Sequence, residues 1–225
     1  MKINKRLKTI TDYIGDGSNI IDVGCDHALL CIYLVKNKKN IKCIASDINK
    51  GPLEQAKVNI DKYKVSKDIK IKLGNGIDTI EESIDTIIIS GMGGGTIVDI
   101  LNNGKNKLSS IKKIILSPNN DFYLVRKCIS NLGYKIVQEE IVYEKGKYYP
   151  IIVLEKGKRK YNKKELLYGV NILENNDLIS YYNYLNSNNI NKLKQLPNKY
   201  IYKKIKMLLE IKYLNKKIKK KGKAK

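Results

Sequence analysis

Tryptophan is absent from this chain of 225 residues, and histidine and phenylalanine each occur once, the histidine as His27. The four cysteines (Cys25, Cys31, Cys43, Cys128) include no C-x-x-C pair. With one histidine and no paired cysteines, no metal site is expected. The cysteines lie in or beside apolar segments and read as reduced, buried thiols. No apolar run approaches the roughly 20 residues that span a bilayer. The basic start (Lys2, Lys5, Arg6, Lys8) is followed by acidic and polar residues where a secretion signal needs an apolar stretch. A cytoplasmic protein without membrane contact is expected. Nothing calls for a second chain, so a monomer is expected too.

Acidic residues are also scarce: 22 Asp and Glu face 44 Lys and Arg, for a net charge of +22. Lysine dominates throughout and reflects a compositional bias, so the distribution says more than the total. Residues 156–225 hold 20 basic against 4 acidic side chains, whereas residues 1–155 hold 24 against 18. Charge gathered at one end is the electrostatic pattern of a polyanion-binding surface. A solvated helical pair whose lysines mean nothing more is the alternative.

What is present divides the chain near residue 157. Before it, short β-branched runs at 19–23, 42–46, 69–73, 85–90 and 112–117 alternate with helix-like spacings such as Leu53, Ala56, Ile60 and Ile97, Ile100, Leu101. Alternating strands and helices imply right-handed βαβ units and a mostly parallel sheet, an α/β fold. Two longer runs, 135–143 and 148–155, are joined by Glu144-Lys145-Gly146-Lys147, which reads as a hairpin. Residues 158–225 lose the β-branched runs. Leu178, Tyr181, Tyr182, Leu185 and then Ile201, Ile205, Leu208, Ile211, Leu214, Ile218 predict two helices broken near Pro197, a helical hairpin or coiled coil. A frayed basic tail is expected from Lys216 on.

The strand ends carry the functional signal. The first runs into Asp22-Val23-Gly24-Cys25-Asp26-His27, a tight βα turn in which Asp26 replaces the second glycine of a dinucleotide motif. An acid there repels a pyrophosphate but tolerates a cation. Asp47 ends the second strand, 23 residues after Gly24, at the interval that places an acid on a ribose diol; a helix N-cap is its alternative. The third strand ends Gly74-Asn75-Gly76, the fourth Ser90-Gly91-Met92-Gly93-Gly94-Gly95, and the fifth Ser117-Pro118-Asn119-Asn120. Five successive strand ends with glycine or small polar residues point to a ligand along that edge.

These motifs resemble one family: DVGCDHALL at 22–30, NKGPLEQA at 49–56, ISGMGG at 89–94, LSPN at 116–119 and EKGKYYPIIV at 144–153 are similar to the bacterial tRNA (adenine-22, N1)-methyltransferases. The resemblance covers residues 5–155 closely and the helical tail in general character. It implies a Rossmann-like class I methyltransferase sheet with one antiparallel strand, S-adenosylmethionine as cofactor and tRNA as partner. Residues 1–157 then form the catalytic domain and 158–225 a basic helical domain contacting tRNA. The resemblance assigns Asp22 and Gly24 to the cofactor's amino-acid end, Asp47 to the ribose hydroxyls and the Asn75 loop to the adenine; Ile48, Gly76, Gly91 and Met92 complete the cofactor site. The family's usual tyrosine two positions after the histidine is Leu29 here, and the proline two further on is Cys31.

Methylating adenine N1 makes a cationic ring until a proton leaves N6, so a carboxylate beside the base both orients and stabilises it. Asp26 fits that role, with an N-cap or a support behind the cofactor as the alternative. His27 either orients Asp26 or the base, or is a helix-start histidine at the cleft edge. Asn119 either accepts from N6 or caps the helix after 121, and base rates favour the cap. A methyltransferase for another RNA base, a small molecule or a protein, or a non-catalytic RNA-binding module that kept the fold, are the competing functions; a small-molecule or protein substrate would not need the basic tail, and a non-catalytic module would not need the intact loops.

Overall fold

The computed structural model of the chain describes residues 1–222, with side chains through 219. Its seven strands are β1 (Asn19–Val23), β2 (Lys42–Asp47), β3 (Ile69–Leu73), β4 (Thr86–Ser90), β5 (Lys113–Ser117), β6 (Tyr134–Glu144) and β7 (Lys147–Lys156). They form one sheet in the order β3-β2-β1-β4-β5-β7-β6. The first five are parallel, and β7 runs antiparallel to both β5 and β6. Every expected strand is present, within a residue or so at each end. Lys145 (φ 47°) and Gly146 (φ 79°) turn the β6–β7 hairpin, two successive left-handed residues as a primed turn requires.

Helices α1 (Lys5–Asp12), α2 (Leu29–Asn37) and α3 (Lys50–Lys62) supply apolar residues to one core, and α4 (Gly94–Asn103) and α5 (Phe122–Ile129) to a second. The period-two alternation of the strands separates the cores. Ile20, Ile88 and Ile115 belong to the first, whereas Ile21, Ile87, Ile89 and Ile114 belong to the second. Because both faces are covered, the central strands are apolar on both sides and read as continuous runs.

Two expectations are corrected here. Cys31 of α2 and Cys43 of β2 are joined as a disulfide, so they are not free thiols; α2 lies over β2 and brings the two residues to a Cα separation of 5.9 Å. Cys25 and Cys128 are free and buried, as expected. The sheet unit also continues past residue 157, through Ile172. Helix α6 (Lys163–Tyr168), which the sequence reading missed, supplies backbone partners to a fully buried ion pair. Arg126 Nη2 donates to Glu139 Oε2 at 2.8 Å, Arg126 Nη1 donates to the Leu166 carbonyl at 3.0 Å, and Val170 N donates to Glu139 Oε1 at 2.9 Å. A bulge between Ile136 and Gln138 adds a residue to β6 just before Glu139, which is wholly buried.

The unit from Leu173 onward is a helical hairpin of α7 (Asn176–Gln195) and α8 (Ile201–Gly222), with Pro197 in the link between them. The basic end, expected to fray from Lys216, is helical through Gly222; residues 223–225 lie outside the described residues. Among the described residues no helix is long and apolar enough to cross a membrane.

Candidate active site

A cavity of about 510 Å³ opens over the carboxyl ends of β1 to β4. Asp22, Gly24, Asp26, Asp47, Ile48, Asn75, Gly76, Gly91 and Met92 all line it, so one cleft gathers most of the residues singled out from the sequence. Its position follows from the topology. The sheet order reverses between β1 and β4, and the loops leaving those strands part there, which opens a crevice at the carboxyl edge.

The β1 loop is the most constrained part of the wall. Gly24 has φ 73°, so a side chain there would be strained, and its Cβ would also press on the flexible end of Met92. Asp26 (φ 30°), His27 (φ 65°) and Ala28 (φ 57°) are three further left-handed residues in succession, none of them glycine. Such conformations persist only where the surroundings over-determine them, and they cluster at functional sites. Here Gly24 N and Cys25 N both donate to the Ser46 carbonyl, Ala28 N donates to Cys25 O, and Asn59 Nδ2 of α3 donates to His27 O at 3.0 Å. The turn presents Asp26 to solvent, its side chain 85% exposed, with His27 Nε2 3.2 Å from Asp26 Oδ1. Asp26 therefore caps no helix. His27 does not line the cavity, but its Nε2 lies beside the Asp26 carboxylate and can orient it.

Asp47 Oδ1 accepts from Asn49 N at 2.9 Å, an Asx turn ahead of α3. Asp22 lies at the floor and is almost wholly buried. Burial, then the nearby Asp26 and Asp47 charges, push its carboxyl up to about 7. A carboxyl raised on folding adds stability that is complete below its unfolded value near 4 and is lost as pH rises through 7. The ligand-free protein should accordingly melt at a lower temperature at pH 8 than at pH 5.5. Asp22→Asn should remove a part of that dependence worth on the order of a few kcal/mol; parallel thermal melts of the two proteins across this range are the check. Identical pH dependences would show that Asp22 ionises normally.

Asn119 does not line the cavity, and it does not cap the following helix, whose N-cap is Asp121 without a side-chain bond. The capping role belongs to its neighbour: Asn120 Oδ1 accepts from Gly94 N at the start of α4. Asn119 instead ties the β5 loop to the β4 loop, donating from Nδ2 to Gly91 O at 2.6 Å and from its backbone N to Met92 O at 2.8 Å. Its Oδ1 accepts from Arg6 Nη1 at 3.1 Å.

Arg6 is the residue the sequence reading missed. It reaches from α1 into the cavity wall, with its guanidinium carbon 4.6 Å from the Tyr149 ring centroid and its Nε buried without a partner. Among the described residues it is the one cationic side chain on a wall that carries three aspartates. Only its basic character was visible in the sequence, one among many basic residues. Among the described residues, no group of three or more His, Cys, Asp or Glu side chains is placed to hold a metal ion.

A family model described as a methyltransferase domain matches residues 3–152. The tRNA (adenine(22)-N(1))-methyltransferase of Bacillus subtilis is 38% identical over 160 residues, covering 71% of this chain and 67% of that protein. TrmK of M. capricolum, solved with S-adenosylhomocysteine, superposes with a TM-score of 0.82 at 30% identity, covering 97% of this chain and 99% of that one. A Streptococcus agalactiae protein of the NADB-Rossmann superfamily superposes with a TM-score of 0.88 at 31% identity, covering 97% and 98%. With the cleft, the sheet order and the sequence identity in agreement, the chain belongs to the tRNA (adenine(22)-N(1))-methyltransferase family.

Proposed function

We propose that the chain transfers a methyl group from S-adenosylmethionine to N1 of adenine 22 in tRNA. The observation that carries the reading is the cavity over β1 to β4, whose wall suits a zwitterionic, cationic cofactor. Its size is adequate for a nucleoside-sized ligand. Three aspartates match a sulfonium, an ammonium and a ribose diol, and the guanidinium of Arg6 on the same wall matches a carboxylate. Asp22 and the Gly24 turn would hold the amino group, Arg6 the carboxylate, Asp47 the ribose hydroxyls and Asn75 the adenine edge, with Ile48 and Met92 as apolar walls. When bound, the cofactor supplies an electrophilic methyl carbon.

The protein's own task is then positioning. The target nitrogen lies on the Watson–Crick edge, so adenine 22 must be splayed out of its stack before it enters the cleft. Asp26, presented by the left-handed turn, accepts from the N6 amino group and takes up its proton as positive charge develops on the ring. Asn119 fixes the Gly91 and Met92 backbone that forms the opposite lip. The helical unit from Leu173 onward, rich in lysine, grips the tRNA backbone. Such an enzyme works in the cytoplasm, where tRNA is modified, and a monomer contains every residue assigned.

Unmodified tRNA incubated with the protein and S-adenosylmethionine should yield N1-methyladenosine at position 22, read by mass spectrometry of the digested nucleosides. Methylation at another base, or none, would overturn the reading. Asp47→Ala should weaken cofactor binding by about 1–3 kcal/mol, through loss of a charged acceptor for the ribose hydroxyls. Calorimetry returning an unchanged dissociation constant would remove Asp47 from the site.

A further inference from the structure

Helix α8 covers one face, through Met207, Ile211, Leu214 and Ile218, and leaves a second, apolar face uncovered near its start. Leu214 is fully buried, whereas Ile201, Ile205, Leu208 and Leu209 are each more than half exposed, and Tyr202 beside them is 84% exposed. A contiguous uncovered apolar face on a helix whose other face is covered marks an interaction surface. The charge around it selects the partner. From residue 178 to residue 209 the chain contains no Asp or Glu and six lysines: Lys192, Lys194, Lys199, Lys203, Lys204 and Lys206. A second copy of this face would bring two such clusters together with no acid between them. The run Lys199-Tyr200-Ile201-Tyr202-Lys203-Lys204 interleaves aromatic and basic side chains, and Lys199 Nζ lies 5.4 Å from the Tyr200 ring centroid. Flat apolar faces among cations suit a partner whose own flat faces are strung on phosphates, a strand of unpaired nucleotides.

We infer that the tip of the hairpin, Tyr200, Tyr202 and the first two turns of α8, stacks on unpaired bases of the tRNA. The inference rests on the tRNA reading above and adds to it a second mode of contact. Lysine–phosphate contacts weaken steeply with salt, whereas stacking does not release counterions. The two modes are therefore separable by their salt dependence.

The test uses the full chain and compares wild type, Tyr202→Ala, Tyr202→Phe and the pair Lys203→Ala/Lys204→Ala in tRNA binding at several salt concentrations. Tyr202→Ala should lower affinity about 10-fold with an unchanged slope of log affinity against log salt, and Tyr202→Phe should restore it. The lysine pair should make the slope shallower by about 0.7–0.9 per lost phosphate contact. A blunt RNA duplex, lacking unpaired bases, should bind wild type and Tyr202→Ala equally. An unchanged affinity for tRNA in Tyr202→Ala overturns the inference, as does a loss that Tyr202→Phe shares or a loss equally large for the duplex. Binding of wild type to phosphatidylserine vesicles that Tyr202→Ala abolishes, with tRNA affinity unmoved, would reassign the face to a membrane. A dimer in sedimentation that Leu208→Lys dissolves, again with tRNA affinity unmoved, would reassign it to a second copy. Methylation by wild type, followed in the same samples, tests the activity itself, so its failure is distinguishable from failure of the stacking contact.

Discussion

Replacing Asp26 with asparagine should lower single-turnover methylation of tRNA at least about 10²-fold while leaving S-adenosylmethionine affinity nearly unchanged. The two halves of that expectation come from different features of the loop. Asp26 lines the cleft yet is 85% exposed at its side chain, with only His27 beside it, so its carboxylate is open to an incoming base. The backbone that shapes the cofactor side of the turn is anchored by Gly24 N and Cys25 N on Ser46 O, bonds that the substitution does not touch. Asparagine keeps the shape and can still accept one hydrogen bond, but it cannot take up the N6 proton. His27→Ala should cost less, because His27 does not line the cavity and lies beside the Asp26 carboxylate. Calorimetry with S-adenosylmethionine separates the alternatives. A variant that loses affinity and rate together would make Asp26 a cofactor ligand.

The strands were legible in the sequence because each is a short β-branched run ended by glycine or a small polar residue. Those same endings singled out nine residues from Asp22 to Met92 that line one cavity. What stayed hidden depends on contacts distant in sequence. Arg6 acquires its place from Tyr149 and Asn119, more than a hundred residues away, and no local pattern distinguishes it from the neighbouring lysines. The left-handed turn at Asp26, His27 and Ala28 was invisible too, because none of the three is a residue that favours positive φ strongly enough to predict a run of them. Asn119 was misjudged by one position: base rates favour an Asn cap near a helix start, and the cap is Asn120, acting on a different helix. The end of the sheet unit was misplaced because composition changes near residue 157, whereas the packing of the buried Arg126–Glu139 pair extends to Val170.

That ion pair should make the sheet unit sensitive to the loss of either partner. Both side chains are fully buried, and each is satisfied by the other and by the segment after β7, through Leu166 O and Val170 N. Arg126→Met should destabilise the protein by about 3–5 kcal/mol, because Glu139 is left charged in the interior with Val170 N as its remaining main-chain donor. Much of that cost comes from the stranded charge, so Arg126→Met/Glu139→Leu should be markedly more stable than the sum of the two single changes predicts. Recovery should stop short of wild type, since Leu166 O and Val170 N lose partners in the double variant. Urea unfolding of the four proteins measures the coupling directly; additive losses, or a loss under about 1 kcal/mol for Arg126→Met, would show the pair to be incidental. The same contacts decide where the chain can be cut to isolate the sheet unit. A chain ending at Lys158 removes both backbone partners and exposes the pair, so it should unfold at markedly lower urea than one ending at Ile172, even though both contain every residue assigned to the cofactor.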